Sequence, residues 1–524
     1  MSENSVVVDL SRKSPSATTV ARTLQEFNKE VTSKNNSKIL STEKWQSLGS
    51  ILVGAASCLD DNNGIKSIHR PLVDTFRFMR NACAGIVDNV ISVVSQPALL
   101  NSTVQLVRHF SEGQANVPVN DSAGIAALQC GLQFLGNLVS SCDEAKELVW
   151  KAMFVQDPSL FSKLLADKDA KVRLHSSMLL YNCLSPERCQ ALLADMSSSV
   201  TISCLTDMLA RADSEWSLFT LGLLVQNDFF HHVYPVLDLK SRCVILDVII
   251  DKLDKLEAEG EDSIISSSLL EYLCEHFRGR VMDIVKTAQP EAMHDDLDPV
   301  EIIKVLELLC AASIHPSFSS VLKENEALLE MVVDILKTVH FLGKAEKNVF
   351  SPVQHIDDLA EAQDGASELA ENPVFGFKRK LVRLIGNLCH ASRKNQDLVR
   401  NMEGIPLILD VCNLDARNPY IIQWAVLAVR NLLENNLENQ AIVAGLVKKG
   451  VVTDSPLLTE MGVRLERDPS AKSSQSVVGR LISGSWLEVA SSTRAPRERL
   501  ACYSTVIMLL SAFYFQSLLV CVPR

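Results

Sequence analysis

An asparagine returns at the same place in one apolar helical run after another. Arg80-Asn81-Ala82, Gly136-Asn137-Leu138, Tyr181-Asn182-Cys183, Gly386-Asn387-Leu388 and Arg430-Asn431-Leu432 fall in one register. The gaps are 56, 45, 205 and 44 (137 − 81, 182 − 137, 387 − 182, 431 − 387), and the third is five steps of 41. Asn costs up to ~0.7 kcal/mol against Ala inside a helix, and Gly ~1 kcal/mol. A chain that writes Gly-Asn-Leu twice in greasy helices therefore has a repeated reason. Apolar or aromatic residues fill the slot elsewhere: Leu223 in LGLLV, Tyr272 in LEYLC and Leu308 in LELLCAAS. From Asn137 to Asn431 the steps are then 45, 41, 49, 36, 79 and 44, with one unit absent before Asn387. Internal periods of ~40–47 residues mark solenoids of helical repeats.

The chain's 524 residues exceed what one hydrophobic core supports, so repeats or several domains are required. Only 21 Gly and 18 Pro leave too few turns for an all-β fold of this length. A net charge of −12 argues against nucleic acid as a partner, because affinity there comes from Lys and Arg meeting phosphates. Fourteen Cys occur without a C-x-x-C pair, and Cys130, Cys274, Cys310 and Cys389 lie in apolar helical runs. There Cys acts as a small buried hydrophobe, as in a reduced intracellular protein. The N-terminus has no secretory h-region.

The last two repeats are the clearest. Phe377, Leu381, Leu384, Ile385, Leu388 and Cys389 form one apolar helical stripe, and Lys380, Arg383, Asn387 and His390 the opposing polar one. Asn395-Gln396 starts a short helix that Gly404 stops, and Ile405-Pro406 opens another with Pro in its first turn. Asn418-Pro419 supplies an N-cap and N1 for a long third helix through Glu434, and Asn439-Gln440 repeats Asn395-Gln396 after 44 residues. Two short helices and a long one, with Gly-Ile-Pro between the first two, resemble the armadillo repeat. The fold expected is all-α, an armadillo-like right-handed superhelical solenoid of helical repeats with a period of about 41 residues. In armadillo proteins the third helices line a concave groove, and an Asn at this slot clamps an extended partner.

A closer resemblance runs from Gly376 to Gln440. FKR at Phe377–Arg379, RLIGNLC at Arg383–Cys389, NQDLVR at Asn395–Arg400, GIPLIL at Gly404–Leu409, QWA at Gln423–Ala425 and RNLLENNLENQ at Arg430–Gln440 look like the signature domain of the ataxin-10 family. FRFMRNACAG at Phe76–Gly85 and LLTEMGVRLERD at Leu457–Asp468 are similar to the family more loosely. The resemblance implies a non-enzymatic scaffold without cofactor or metal. It implies protein partners, G-protein β subunits among them, with self-association open, and a cytoplasmic, perinuclear location. Roles in neuron survival, neurite outgrowth, cytokinesis and cilium function come with it by analogy.

The expected organisation is a disordered tail over 1–22, N-terminal repeats over 23–342 and an acidic inserted loop over 343–373. The ataxin-10-type domain at 374–468, a Ser/Arg-rich linker at 469–499 and an apolar segment at 500–524 follow. Residues 500–522 lack any charge and are long enough to span a bilayer, so a tail anchor on an intracellular membrane is the alternative to a soluble adaptor. Ser14-Pro15 is a candidate phosphosite. No phosphate loop, H-E-x-x-H or G-x-S-x-G occurs. His231-His232 reads as a helix end, Cys389 as core, and Lys378-Arg379-Lys380 as a solvated helix start. The candidate partner contacts are Arg383, Asn387 and His390 in one repeat and Gln423, Trp424, Arg430 and Asn431 in the next. Two roles stand open for the Asn residues: facing a partner, or satisfying a buried carbonyl between repeats. Trp424 is divided between core and groove.

Overall fold

Apolar side chains spaced three and four apart dominate the chain, and such runs fold as helices that bury one face. The computed structural model describes residues 16–33, 39–59, 65–113, 122–255, 264–286, 299–345, 348–353, 374–413, 415–445, 463–467 and 477–481. These residues form an all-α, armadillo-like solenoid with one short strand pair. It divides into two units, Met1–Val248 with Ile264–Leu269, and Ile249–Ser263 with Leu270–Arg524.

The first unit is built from triples of helices. They are α1 (Ala17–Ser33), α2 (Thr42–Ala56) and α3 (Ile65–Cys83), then α4 (Val87–Val94), α5 (Pro97–Gly113) and α6 (Ser122–Val139). Next come α7 (Asp143–Trp150, prolonged by a π turn at Lys151–Val155), α8 (Ser159–Leu165) and α9 (Ala170–Cys183), and then α10 (Pro186–Ala194), α11 (Ser198–Ala210) and α12 (Glu215–Val225). Third helices stack on third helices: α3 on α6, α6 on α9, α9 on α12. Phe76, Phe134, Leu179 and Leu221 are fully buried in that stack, each worth ~1.5–3 kcal/mol of apolar burial. Helix α6 is long and apolar enough to cross a membrane. Its Leu128, Leu132, Phe134, Leu135 and Leu138 are instead buried, and it packs on α3, α5 and α9. Helix α1 begins inside the stretch expected to be a tail, and its Val20 and Leu24 are fully buried. Ser14-Pro15 lies outside the described residues. Helices α13 (Phe230–Val233) and α14 (Leu239–Lys255) follow.

The second unit continues with α15 (Ser267–Lys286), α16 (Pro299–Ala312), α17 (Pro316–Glu324), α18 (Glu326–Ala345) and α19 (Phe377–Cys389). It goes on to α20 (Arg393–Asn401), α21 (Gly404–Asp410), α22 (Ile421–Leu433) and α23 (Leu437–Gly445). The third helices are α16, α19 and α22, and α19 packs on both others. No repeat is absent before Asn387: α17, α18 and α19 make one triple whose last connection carries the insertion. The start of that insertion is fixed. Phe350 and Val353 are buried, the Lys378 ammonium donates to Phe350 O at 2.6 Å, and Arg417 donates to Asn348 O and Ser351 O at 2.8 and 3.1 Å. Lys378 is thus 3% exposed, not solvated, because it closes the base of the loop. The acidic run 354–373 and the segment 500–522 lie outside the described residues.

Local details differ from the reading of the sequence in two places. Gly404 opens α21 instead of stopping α20, and Glu403 before it takes the left-handed conformation (φ 58°). Asn418 is not the N-cap of α22, which starts at Ile421. Its Oδ1 accepts from Arg379 N at 3.2 Å, in the first turn of α19. Beyond the helices, β1 (Val463–Arg467) and β2 (Val477–Leu481) pair antiparallel, Val463 opposite Leu481 and Arg467 opposite Val477. That pair joins residues on both sides of Asp468, the expected domain boundary.

Candidate functional site

At Asn137, Asn387 and Asn431 the slot forms bonds between third helices. Asn137 Nδ2 on α6 donates to Arg80 O on α3 at 2.8 Å, and Asn431 Nδ2 on α22 donates to Gly386 O on α19 at 2.9 Å. In both cases the acceptor is the residue just before the preceding Asn slot. Asn387 Nδ2 on α19 reaches Ser313 Oγ at 2.9 Å and Cys310 O on α16 at 3.3 Å. By the same rule the α16 slot is Ala311, three residues beyond Leu308. Asn387 and Asn431 are each 6% exposed. Their amide donors are engaged inside the stack, which is the second of the two roles the sequence left open. Asn81 is exposed and accepts from Arg80.

A second Asn series closes helix ends. Asn395 Nδ2 donates to Leu388 O at 2.9 Å, and Asn439 Nδ2 to Leu432 O at 2.8 Å, one residue past each slot. Gln396 and Gln440 donate to Asn431 O and Leu433 O, both at 2.8 Å. The last carbonyls of a helix have no partner within it, so Asn395 with Gln396 caps α19, and Gln396, Asn439 and Gln440 cap α22. The glycines before the slots differ. A Cβ on Gly386 would stand 3.0 Å from Ala428 Cα, whereas one on Gly136 would meet only the mobile end of Met178.

With the register corrected, side chains four before one slot meet side chains seven before the next. Gln133 (137 − 4) bonds His175 (182 − 7) at 2.7 Å in the first unit. In the second, Glu307 (311 − 4) pairs with Lys380 (387 − 7) at 2.9 Å. Arg383 (387 − 4) stacks its guanidinium 4.8 Å over the ring of Trp424 (431 − 7). Trp424 is half-buried, so neither pure core nor free surface describes it. Among the described residues Arg383 Nε and Gln423 Nε2 have no acceptor. Arg383 and Trp424 therefore come together. His390 and Arg430 do not join them: both are exposed, and His390 lies 3.8 Å from Glu434 at the end of its helix.

Sequence reasoning missed Lys304, Glu307 and Arg379 as members of this face. Placing the α16 slot at Ala311 would have aligned Lys304 and Glu307 with Lys380 and Arg383. Three cations, Lys304, Arg379 and Lys380, lie around the Glu307 carboxylate, and Arg383 lies beside Arg379. Burial raises the Glu307 carboxyl, yet Lys380, Lys304 and Arg379 hold it below the ordinary range. Burial, aided by the Arg383 charge, lowers the Arg379 guanidinium. Three thiols of the second unit are poor nucleophiles. Burial pushes Cys274 and Cys310 up to about 12, and Cys389 higher still. Thiolate is the reactive form. Among the described residues no group of three or more His, Cys, Asp or Glu could hold a metal.

Residues 377–476 match the family model described as the spinocerebellar ataxia type 10 protein domain. Ataxin-10 of Xenopus tropicalis is 33% identical over 396 residues, 75% of this chain and 78% of its own length. Ataxin-10 of Homo sapiens is 31% identical over 399 residues, 76% of this chain and 80% of its own. Among solved structures, a chain from work on the phosphorylation switch between cadherin and beta-catenin covers 80% of this chain and 96% of its own. Its identity is 11% and its TM-score 0.26, so the fold assignment rests on the helix packing described above. The signature string, the domain match and the similarity over three quarters of the length agree: the chain belongs to the ataxin-10 family.

Proposed function

We propose that the chain is a non-enzymatic scaffold that holds an extended segment of a partner protein against the third helices α16, α19 and α22. The observation that carries this reading is the Arg383–Trp424 stack, in which both side chains are partly exposed. Trp and Arg are enriched among the hot-spot residues of protein interfaces. Family membership supports a role in protein interaction. It further supports reading the partners as cytoplasmic signalling proteins, G-protein β subunits among them, in neurite outgrowth, cytokinesis and cilium function.

A photo-crosslinking residue placed at Leu427, four before Asn431, tests the assignment. Crosslinks from Leu427 should exceed those from the same group at Lys163 on α8, and should fall in a chain with Arg383→Ala and Trp424→Ala. Equal crosslinking from both positions contradicts the assignment.

A further inference from the structure

We propose that the partner segment taken by this face is acidic and carries an apolar side chain for Trp424. The inference rests on the reading of the third-helix face as the partner surface, and it specifies the chemistry that face selects. On α16 and α19, Lys304, Arg379 and Lys380 lie around Glu307, and Arg383 lies with Arg379 and Lys380 near Cys310. They do so in a chain whose net charge is −12. Ammonium and guanidinium groups carry donors and no acceptor, so the complementary ligand is rich in acceptors. On α22 the corresponding positions are apolar: Trp424 and Leu427 stand where α19 has Lys380 and Arg383, and both are partly open. A segment crossing from α16 to α22 thus meets cations first and an aromatic plate last.

Charge range separates this ligand from other polyanions. Screening confines the field of the four cations to ~8 Å at physiological salt. A short acidic segment lying in the face feels mainly those cations. A nucleic acid or an anionic membrane extends further and meets the acidic remainder of the chain.

The experiment measures binding of a short fluorescent peptide of Asp and Glu with one central Leu-Phe pair to the full chain, by anisotropy. Binding should weaken about tenfold or more when Asp and Glu are replaced by Asn and Gln, and should weaken with added salt. Lys380→Gln with Arg383→Gln should weaken it similarly, and Lys163→Gln should leave it unchanged. The reversed face, Lys380→Glu with Arg383→Glu, should exchange acidic for basic peptide while keeping its helicity by circular dichroism. That gain of binding excludes misfolding as the cause. Equal binding of the uncharged peptide, insensitivity to both double substitutions, or tighter binding of single-stranded DNA or phosphatidylserine vesicles would overturn the inference. If crosslinking from Leu427 persists while the acidic peptide does not bind, only this inference fails. If both are absent, the partner-surface reading fails with it.

Discussion

Asn431 and Asn387 spend their donors on the backbone of the helix behind them. Removing such a donor strands a buried carbonyl, at a cost of about 1–3 kcal/mol. Asn431→Ala should therefore lower stability by that amount in urea unfolding, while Asn81→Ala, at an exposed site, should change it by less than ~0.5 kcal/mol. The glycines divide in the same way. Gly386→Ala forces a methyl against the Ala428 backbone and should cost about 1–3 kcal/mol. Gly136→Ala meets only the end of Met178, and the gain of ~1 kcal/mol in helix propensity offsets that contact, so it should be neutral or stabilising. The slot itself was legible in the sequence, because a costly residue at a fixed period marks itself. The direction of its side chain was not, because the acceptor lies in another helix: Gly386 is 45 residues before Asn431 (431 − 386).

At the scale of elements, the triple α17–α18–α19 accommodates a long insertion because its base is tied down. Lys378, Arg417 and Asp415 bind the backbone at Asn348, Phe350, Ser351 and Val353. Loop closure depends only weakly on length, about 0.6 kcal/mol per doubling. Replacing residues 354–373 with a Gly/Ser stretch of half that length should leave the unfolding midpoint nearly unchanged, whereas Lys378→Met, which frees Phe350 O, should lower it. A second prediction concerns α18 and α21. Burial holds the His340 imidazole below its usual 6.5, even though Asp410 raises it, with Lys344 and Lys378 also facing it. Its folded value is depressed, so the unfolded chain takes up the proton first, and this contribution is lost as pH falls through 6.5. Asp410 is also held low, since bonds from Lys344 and His340 outweigh its burial, and it too loses stability in acid. The unfolding midpoint should fall between about pH 7 and 5, and less steeply in His340→Gln. The helices were legible from periodicity. The slip from Ala311 to Leu308 was not avoidable, because an apolar stripe looks the same one turn along, and only the Asn387 bond to Cys310 O fixes the register.

For the whole molecule, the repeat and its family could be read from the signature string between Gly376 and Gln440. The basic face could not. Its members lie between Lys304 and Trp424, 120 residues apart (424 − 304), and adjacent in sequence to Lys378, which serves the loop base instead. Asn387 and Asn431 hold the stack, and in the proposed function Arg383 with Trp424 meets the partner. Proximity labelling in cells tests that division most directly. A chain with Arg383→Ala and Trp424→Ala, matched to the parent in thermal stability, should lose a defined set of labelled neighbours. An unchanged set of neighbours would contradict the account.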